Sequence, residues 1–125
     1  MGPDAYRTAG LAEAGARNPS GMGLEMVTCQ SAEAAMEGAQ IVTTCTADKQ
    51  YATILTDNMV GNGVHINAIG GDCPGKTELA PAILHRSSIF MEYPEQTRME
   101  GEIQQLDPDN PRDLFGMLMR AAGAA

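Results

Sequence analysis

The stretch His65-Ile66-Asn67-Ala68-Ile69-Gly70-Gly71-Asp72-Cys73-Pro74-Gly75-Lys76-Thr77-Glu78-Leu79 decides how this chain folds. Residues 64–69 alternate apolar and polar and read as a strand. Residues 70–76 hold three glycines and a proline and read as a loop. Residues 78–86 then read as a helix, with Pro81 confined to its first turn. A strand, a loop and a helix in that order form the repeating unit of an α/β protein.

Working outward, the same alternation continues. Upstream, residues 4–17 are Ala-rich behind Pro3 and Asp4 and predict a helix. Pro19, Gly21 and Gly23 mark a turn, and residues 24–29 a short strand. Ser31 is a suitable N-cap for a helix over 32–37, closed by Gly38. Residues 41–45 are β-branched at four of five positions and predict a strand. Thr56 and Asp57 suit a brief helical turn through Val60. Downstream, residues 89–93 read as a strand, and the pattern turns helical after Pro94. Ile103 and Leu106 form a partial apolar stripe, and residues 107–111 break it with two prolines. Leu114, Phe115, Leu118 and Met119 recur at helical spacing, and residues 121–125 read as a frayed end. The expected fold is a three-layer α/β domain around a parallel sheet, spanning 1–125 as one unit.

Composition narrows the function classes. The chain has 125 residues, 43% hydrophobic and 19% charged, as in an ordinary globular domain. Eight basic residues face sixteen acidic ones, a net charge of −8, which disfavours nucleic acid and anionic lipid surfaces as partners. Aromatics are 4% and Trp is absent, so no base-stacking platform is evident. No apolar run reaches the length of a membrane helix, and no secretory signal is seen. Met1-Gly2 fails the myristoylation pattern because position six is Tyr6. Cys29, Cys45 and Cys73 are odd in number and lack metal-ligand spacing; they read as reduced thiols of a cytoplasmic protein, and no metal site is expected. Nine methionines suggest an adaptable core.

The loop admits several readings. Residues 70–77 fit the phosphate-loop pattern G-x-x-x-x-G-K-[ST], but Asp72 would repel phosphate and Pro74 lacks an N–H donor. Open α/β sheets bind ligands at the carboxyl ends of their strands. On that reading Gly70 and Gly71 let backbone approach a flat ligand, Asp72 is a candidate acid/base and Lys76 an anion partner. The plainest reading is a turn with a helix-capping Asp. Gly61-Asn62-Gly63 lacks the third glycine of a dinucleotide fingerprint and reads as a turn. His65, alternating with apolar neighbours on a strand, and His85, ending a helix, read as structural, since a functional histidine needs a positioned partner. Arg98, Glu100 and Glu102 read as a solvated helix face.

Three ordered segments carry a resemblance: residues 41–49 (Ile-Val-Thr-Thr-Cys-Thr-Ala-Asp-Lys), residues 65–79, and residues 92–106 (Glu-Tyr-Pro-Glu-Gln-Thr-Arg-Met-Glu-Gly-Glu-Ile-Gln-Gln-Leu). Together they resemble the ornithine cyclodeaminase/μ-crystallin family over about residues 24–106. The resemblance implies a Rossmann-like NAD-binding domain and NAD-dependent conversion of L-ornithine to L-proline and ammonia. It implies that Asp72 donates and accepts the proton. It further implies that Thr46 and Lys76 contact the cofactor and that the backbone of Ile69, Gly70 and Gly71 borders the nicotinamide.

The pattern also departs from the family. Glu95 stands where the family commonly has Pro. The family's substrate domain, pyrophosphate turn and ribose-binding acid have no counterpart in these residues, nor do the first two strands of its Rossmann sheet. The resemblance therefore implies a partial domain, inactive in isolation, whose unpaired strands re-pair or are covered in a homo-oligomer. A non-catalytic, oligomer-forming remnant and a phosphate-loop nucleotide binder stand as the alternatives.

Overall fold

The computed structural model describes residues 5–9, 25–46, 52–91, 93–107, 109 and 117–119. The chain divides into two compact units, Met1–Ala39 and Gln40–Ala125.

In the first unit, strand β1 (Ala5–Ala9) pairs in parallel with β2 (Glu25–Cys29), Ala5 opposite Glu25 and Ala9 opposite Cys29. The helix expected over 4–17 is therefore a strand at its start. Tyr6 and Thr8 are strand-favouring residues inside an Ala-rich stretch, and pairing with β2 overrides the helical propensity of the alanines. Residues 10–17, and the turn expected over 18–23, lie outside the described residues. Helix α1 (Ala32–Met36) starts where the sequence predicts. The Ser31 hydroxyl accepts the Ala34 N–H at 3.2 Å, and Met36 is its buried residue.

In the second unit, β3 (Ile41–Thr44) pairs in parallel with β4 (His65–Ala68), Ile41 opposite His65 and Thr44 opposite Ala68. Burial alternates along both strands, with Ile41, Thr43, His65 and Asn67 exposed and Thr44 buried. His65 Nε2 lies 3.1 Å from Asn67 Oδ1 on the exposed face. A 3-10 turn (Asp57–Met59) follows Thr56 as expected. Strand β5 (Ile89–Met91) pairs in parallel with β6 (Met117–Met119). Residues 117–119 thus correct the helix read from the spacing of Leu114 to Met119. Three consecutive apolar residues suit a strand as well as a helix, and a parallel neighbour decides between them. Every described strand pair is parallel, and hydrogen bonds join the strands in separate pairs, not in one continuous sheet.

Helix α2 (Pro81–His85) begins three residues later than the sequence suggests, with Pro81 in its first turn. Leu79 is held extended beforehand by a parallel bridge to Leu55, in which the Ala80 N–H donates to Leu55 O at 2.9 Å. Helix α3 (Pro94–Met99) and a 3-10 turn (Glu102–Gln105) complete the described elements. Leu55, Val60, Leu79, Ile83, Leu84, Met91, Ile103 and Leu106 form the core of this unit. Full burial of a side chain such as Ile83 stabilises by about 1.5–3 kcal/mol. Arg86 ties the 3-10 turn to the end of α2, donating to Asp57 Oδ1 at 2.5 Å and to Val60 O at 2.6 Å.

Candidate functional site

Parallel pairing of β3 and β4 brings the chain just beyond both strands to one end of the pair. Thr46 lies beyond β3, and Ile69, Gly70, Gly71 and Asp72 lie beyond β4. Ile69 donates its N–H to Thr44 O at 3.1 Å, continuing the ladder by one step. Its side chain is 66% exposed.

Lys76 returns from the loop into this end. It is 4% exposed, and its ammonium donates to Thr46 O at 2.8 Å and to Asp72 Oδ1 at 3.1 Å. Asp72 is exposed on the same loop. The hydrogen bond and positive charge of Lys76 hold its carboxyl below the usual carboxylate range. Asp72 is therefore ionised at neutral pH.

Glu78 anchors the other side of Thr46. Its Oε1 accepts the Thr46 N–H at 2.7 Å and also the Thr46 hydroxyl hydrogen. The residue is almost fully buried, and its Oε2 has no hydrogen-bond partner among the described residues. This carboxylate lies against Gly70, where a Cβ would collide with it. A Cβ on Gly71 would stand 2.9 Å from Gly101 Cα. The two glycines thus allow the protein to pack closely against itself at this loop.

The 3-10 turn Glu102–Gln105 braces the loop from outside. The Glu102 carboxylate accepts the N–H groups of Glu78 at 2.7 Å and Leu79 at 3.0 Å. Gln104 accepts the Gly75 N–H at 2.6 Å and donates to Lys76 O at 2.9 Å. Gln105 donates to Leu79 O at 3.1 Å. Burial, against the pull of the two N–H groups, raises the Glu102 carboxyl above its ordinary range. Glu102 is buried, so the charged run is not a solvated face at this position. Glu78, Glu102 and Gln104 are the site residues that sequence reading misses. The available signal was a carboxylate directly before the apolar run Leu79–Leu84, and another beside the stripe of Ile103 and Leu106.

The N–H inventory argues against a phosphate cradle. Asp72 N–H donates to Gly70 O, Lys76 N–H to Cys73 O, and Gly75 N–H to Gln104. Pro74 has none. The Lys76 ammonium is engaged by protein atoms as well. An anion in this loop would find these three N–H donors already taken.

Among the described residues, no helix is long and apolar enough to cross a membrane. The sequence model of the ornithine cyclodeaminase/mu-crystallin family matches residues 6–123. Ornithine cyclodeaminase of Brucella suis is 70% identical over 95 residues, covering 76% of this chain and 26% of the relative. Ornithine cyclodeaminase of Agrobacterium fabrum is 64% identical over 95 residues, 76% of this chain and 27% of the relative. An alanine dehydrogenase of Archaeoglobus fulgidus is 40% identical over 74 residues, 59% of this chain and 22% of that relative. The chain therefore spans about a quarter of the length of the cyclodeaminases that it matches. With the family model matching nearly end to end, the chain belongs to the ornithine cyclodeaminase/mu-crystallin family.

Proposed function

We propose that residues 40–107 form the nicotinamide-facing half-site of a Rossmann-like, NAD-dependent cyclodeaminase that converts L-ornithine to L-proline and ammonia. The observation that carries this reading is the exposed Asp72 carboxylate, held ionised by Lys76 at the carboxyl end of two parallel strands. Ligands of open α/β sheets bind at such ends.

The residues suit the nicotinamide end of the cofactor. Ile69 offers an exposed apolar surface to a flat ring, and Thr46 offers a half-buried hydroxyl oxygen. NAD, when bound, would supply a hydride acceptor and return the hydride later. Asp72 takes a proton from the substrate amine and gives it back as nitrogen leaves. Lys76 lowers the proton affinity of that carboxylate, its ammonium donating to Thr46 O and to Asp72. A cationic amino-acid side of the substrate is favoured next to Asp72 by simple charge.

These 125 residues alone are proposed to be inactive. Productive catalysis requires the substrate to be held in a near-attack geometry, and what is described here presents one wall of such a site. The exposed apolar residues Ile41 and Phe90 support self-association as part of this reading. The test is a calorimetric titration of the chain with NAD, with magnesium-ATP as control, beside an assay of ornithine-dependent ammonia release. NAD binding without ATP binding and without turnover is expected. Turnover that disappears in Asp72→Asn would overturn the inactivity while upholding the role of Asp72. Saturable ATP binding abolished by Lys76→Ala would overturn the reading as a whole.

A further inference from the structure

Thr46 carries three backbone and side-chain groups able to hydrogen-bond, and the protein engages all of them. Its N–H goes to Glu78 Oε1 at 2.7 Å, its carbonyl takes the Lys76 ammonium at 2.8 Å, and its hydroxyl contacts Glu78 Oε1. The direction of that last bond follows from its partner. A carboxylate oxygen accepts only, and Glu78 Oε1 has lone pairs for both the Thr46 N–H and the Thr46 hydroxyl hydrogen. The Thr46 hydroxyl must therefore donate. A hydroxyl has a single hydrogen and two lone pairs, so what remains for a ligand is lone pairs alone.

We propose that Glu78 is a positioning residue that fixes the hydrogen-bond polarity of Thr46, so that the cofactor group meeting Thr46 is a hydrogen-bond donor. A carboxamide NH2 and a ribose hydroxyl both meet that requirement, whereas a phosphate oxygen does not. Glu78 also fills the space beside Gly70. One side chain thereby fixes the chain beyond β3 and the chain beyond β4 relative to each other. Nothing in this role requires Glu78 to touch the ligand. The inference rests on the NAD reading for the identity of the ligand, though not for the direction of the hydrogen bond.

The experiment uses the 125-residue chain and has two parts. In the first, NMR looks for the Thr46 hydroxyl proton, which is visible only when hydrogen-bonded and slow to exchange. It is expected in the wild-type chain, retained in Glu78→Gln through the amide oxygen, and lost in Glu78→Met. Its absence from the folded wild-type chain would overturn the proposal, whether or not Glu78→Met folds. In the second, wild type and Thr46→Val are titrated with NAD and with 3-acetylpyridine adenine dinucleotide, whose methyl replaces the carboxamide NH2. Thr46→Val is expected to weaken NAD binding about three- to tenfold, the range of one neutral hydrogen bond. A loss confined to NAD identifies the carboxamide, and an equal loss on both ligands identifies the ribose. Unchanged affinity for both would overturn the donor requirement. A wild-type chain that shows the proton but binds no NAD would reject the cofactor reading and uphold the polarity that Glu78 imposes.

Discussion

The ammonium of Lys76 stands 3.1 Å from Asp72 Oδ1, with the lysine buried and the aspartate open to solvent. The buried partner is the fixed one, since Thr46 O also holds it. Lys76→Met should therefore raise the Asp72 carboxyl toward its ordinary range, because the hydrogen bond and the positive charge that lower it both disappear. A carboxyl 13C titration of Asp72 in the two proteins checks this. An unchanged midpoint would show that Lys76 does not tune the carboxylate.

Glu102 makes the opposite prediction for pH. Its carboxyl is raised by burial, so the folded state favours the protonated form. Its contribution to stability is complete below the unfolded value and declines as pH rises through the folded value. Urea denaturation across a pH series should show that decline in wild type, and Glu102→Gln should flatten it. Glu102→Ala should cost about 3 kcal/mol at low pH and less as pH rises, since two buried N–H groups lose their acceptor.

Gly70→Ala and Gly71→Ala should differ in kind. At Gly71 the new methyl meets Gly101 backbone, and the expected outcome is destabilisation of about 1–3 kcal/mol. At Gly70 it displaces the Glu78 side chain, which can move. Gly70→Ala should therefore shift the Thr46 amide resonance, a response that Gly71→Ala should lack. Equal Thr46 shifts in both variants would contradict the packing described here.

Arg86 offers a check away from the site. Arg86→Met should cost about 1–2 kcal/mol, through loss of the bonds to Asp57 and Val60 O. Arg86→Lys restores the charge without the planar fork and should recover less than half of that loss. Thermal or urea midpoints of the three proteins decide it.

Much of the second unit was legible in the sequence because local signals and tertiary pairing agree there. β3, β4, β5 and the turn after Thr56 appear where β-branched runs and capping residues place them. β1 and β6 were misread for one reason. An Ala-rich stretch and an apolar stripe each suit helix locally, while a parallel strand neighbour is invisible to a local window. The loop was recognised by its residues, and Thr46, Ile69, Asp72 and Lys76 do gather at one end of β3 and β4. The roles of Glu78 and Glu102 were not legible. Each is a charged residue by composition, and only partners far along the chain reveal that it is buried and bound.

The separation of those partners has a kinetic consequence. The bond from Thr46 to Glu78 spans 32 positions, that from Gly75 to Gln104 spans 29, and that from Glu78 to Glu102 spans 24. Each must wait for a sizeable loop to close, and the closure entropy is recovered only when the bonds form together. The arrangement around Asp72 should therefore appear late and cooperatively during folding. A synthetic peptide of residues 65–79 would carry every residue of the recognisable motif and none of its geometry.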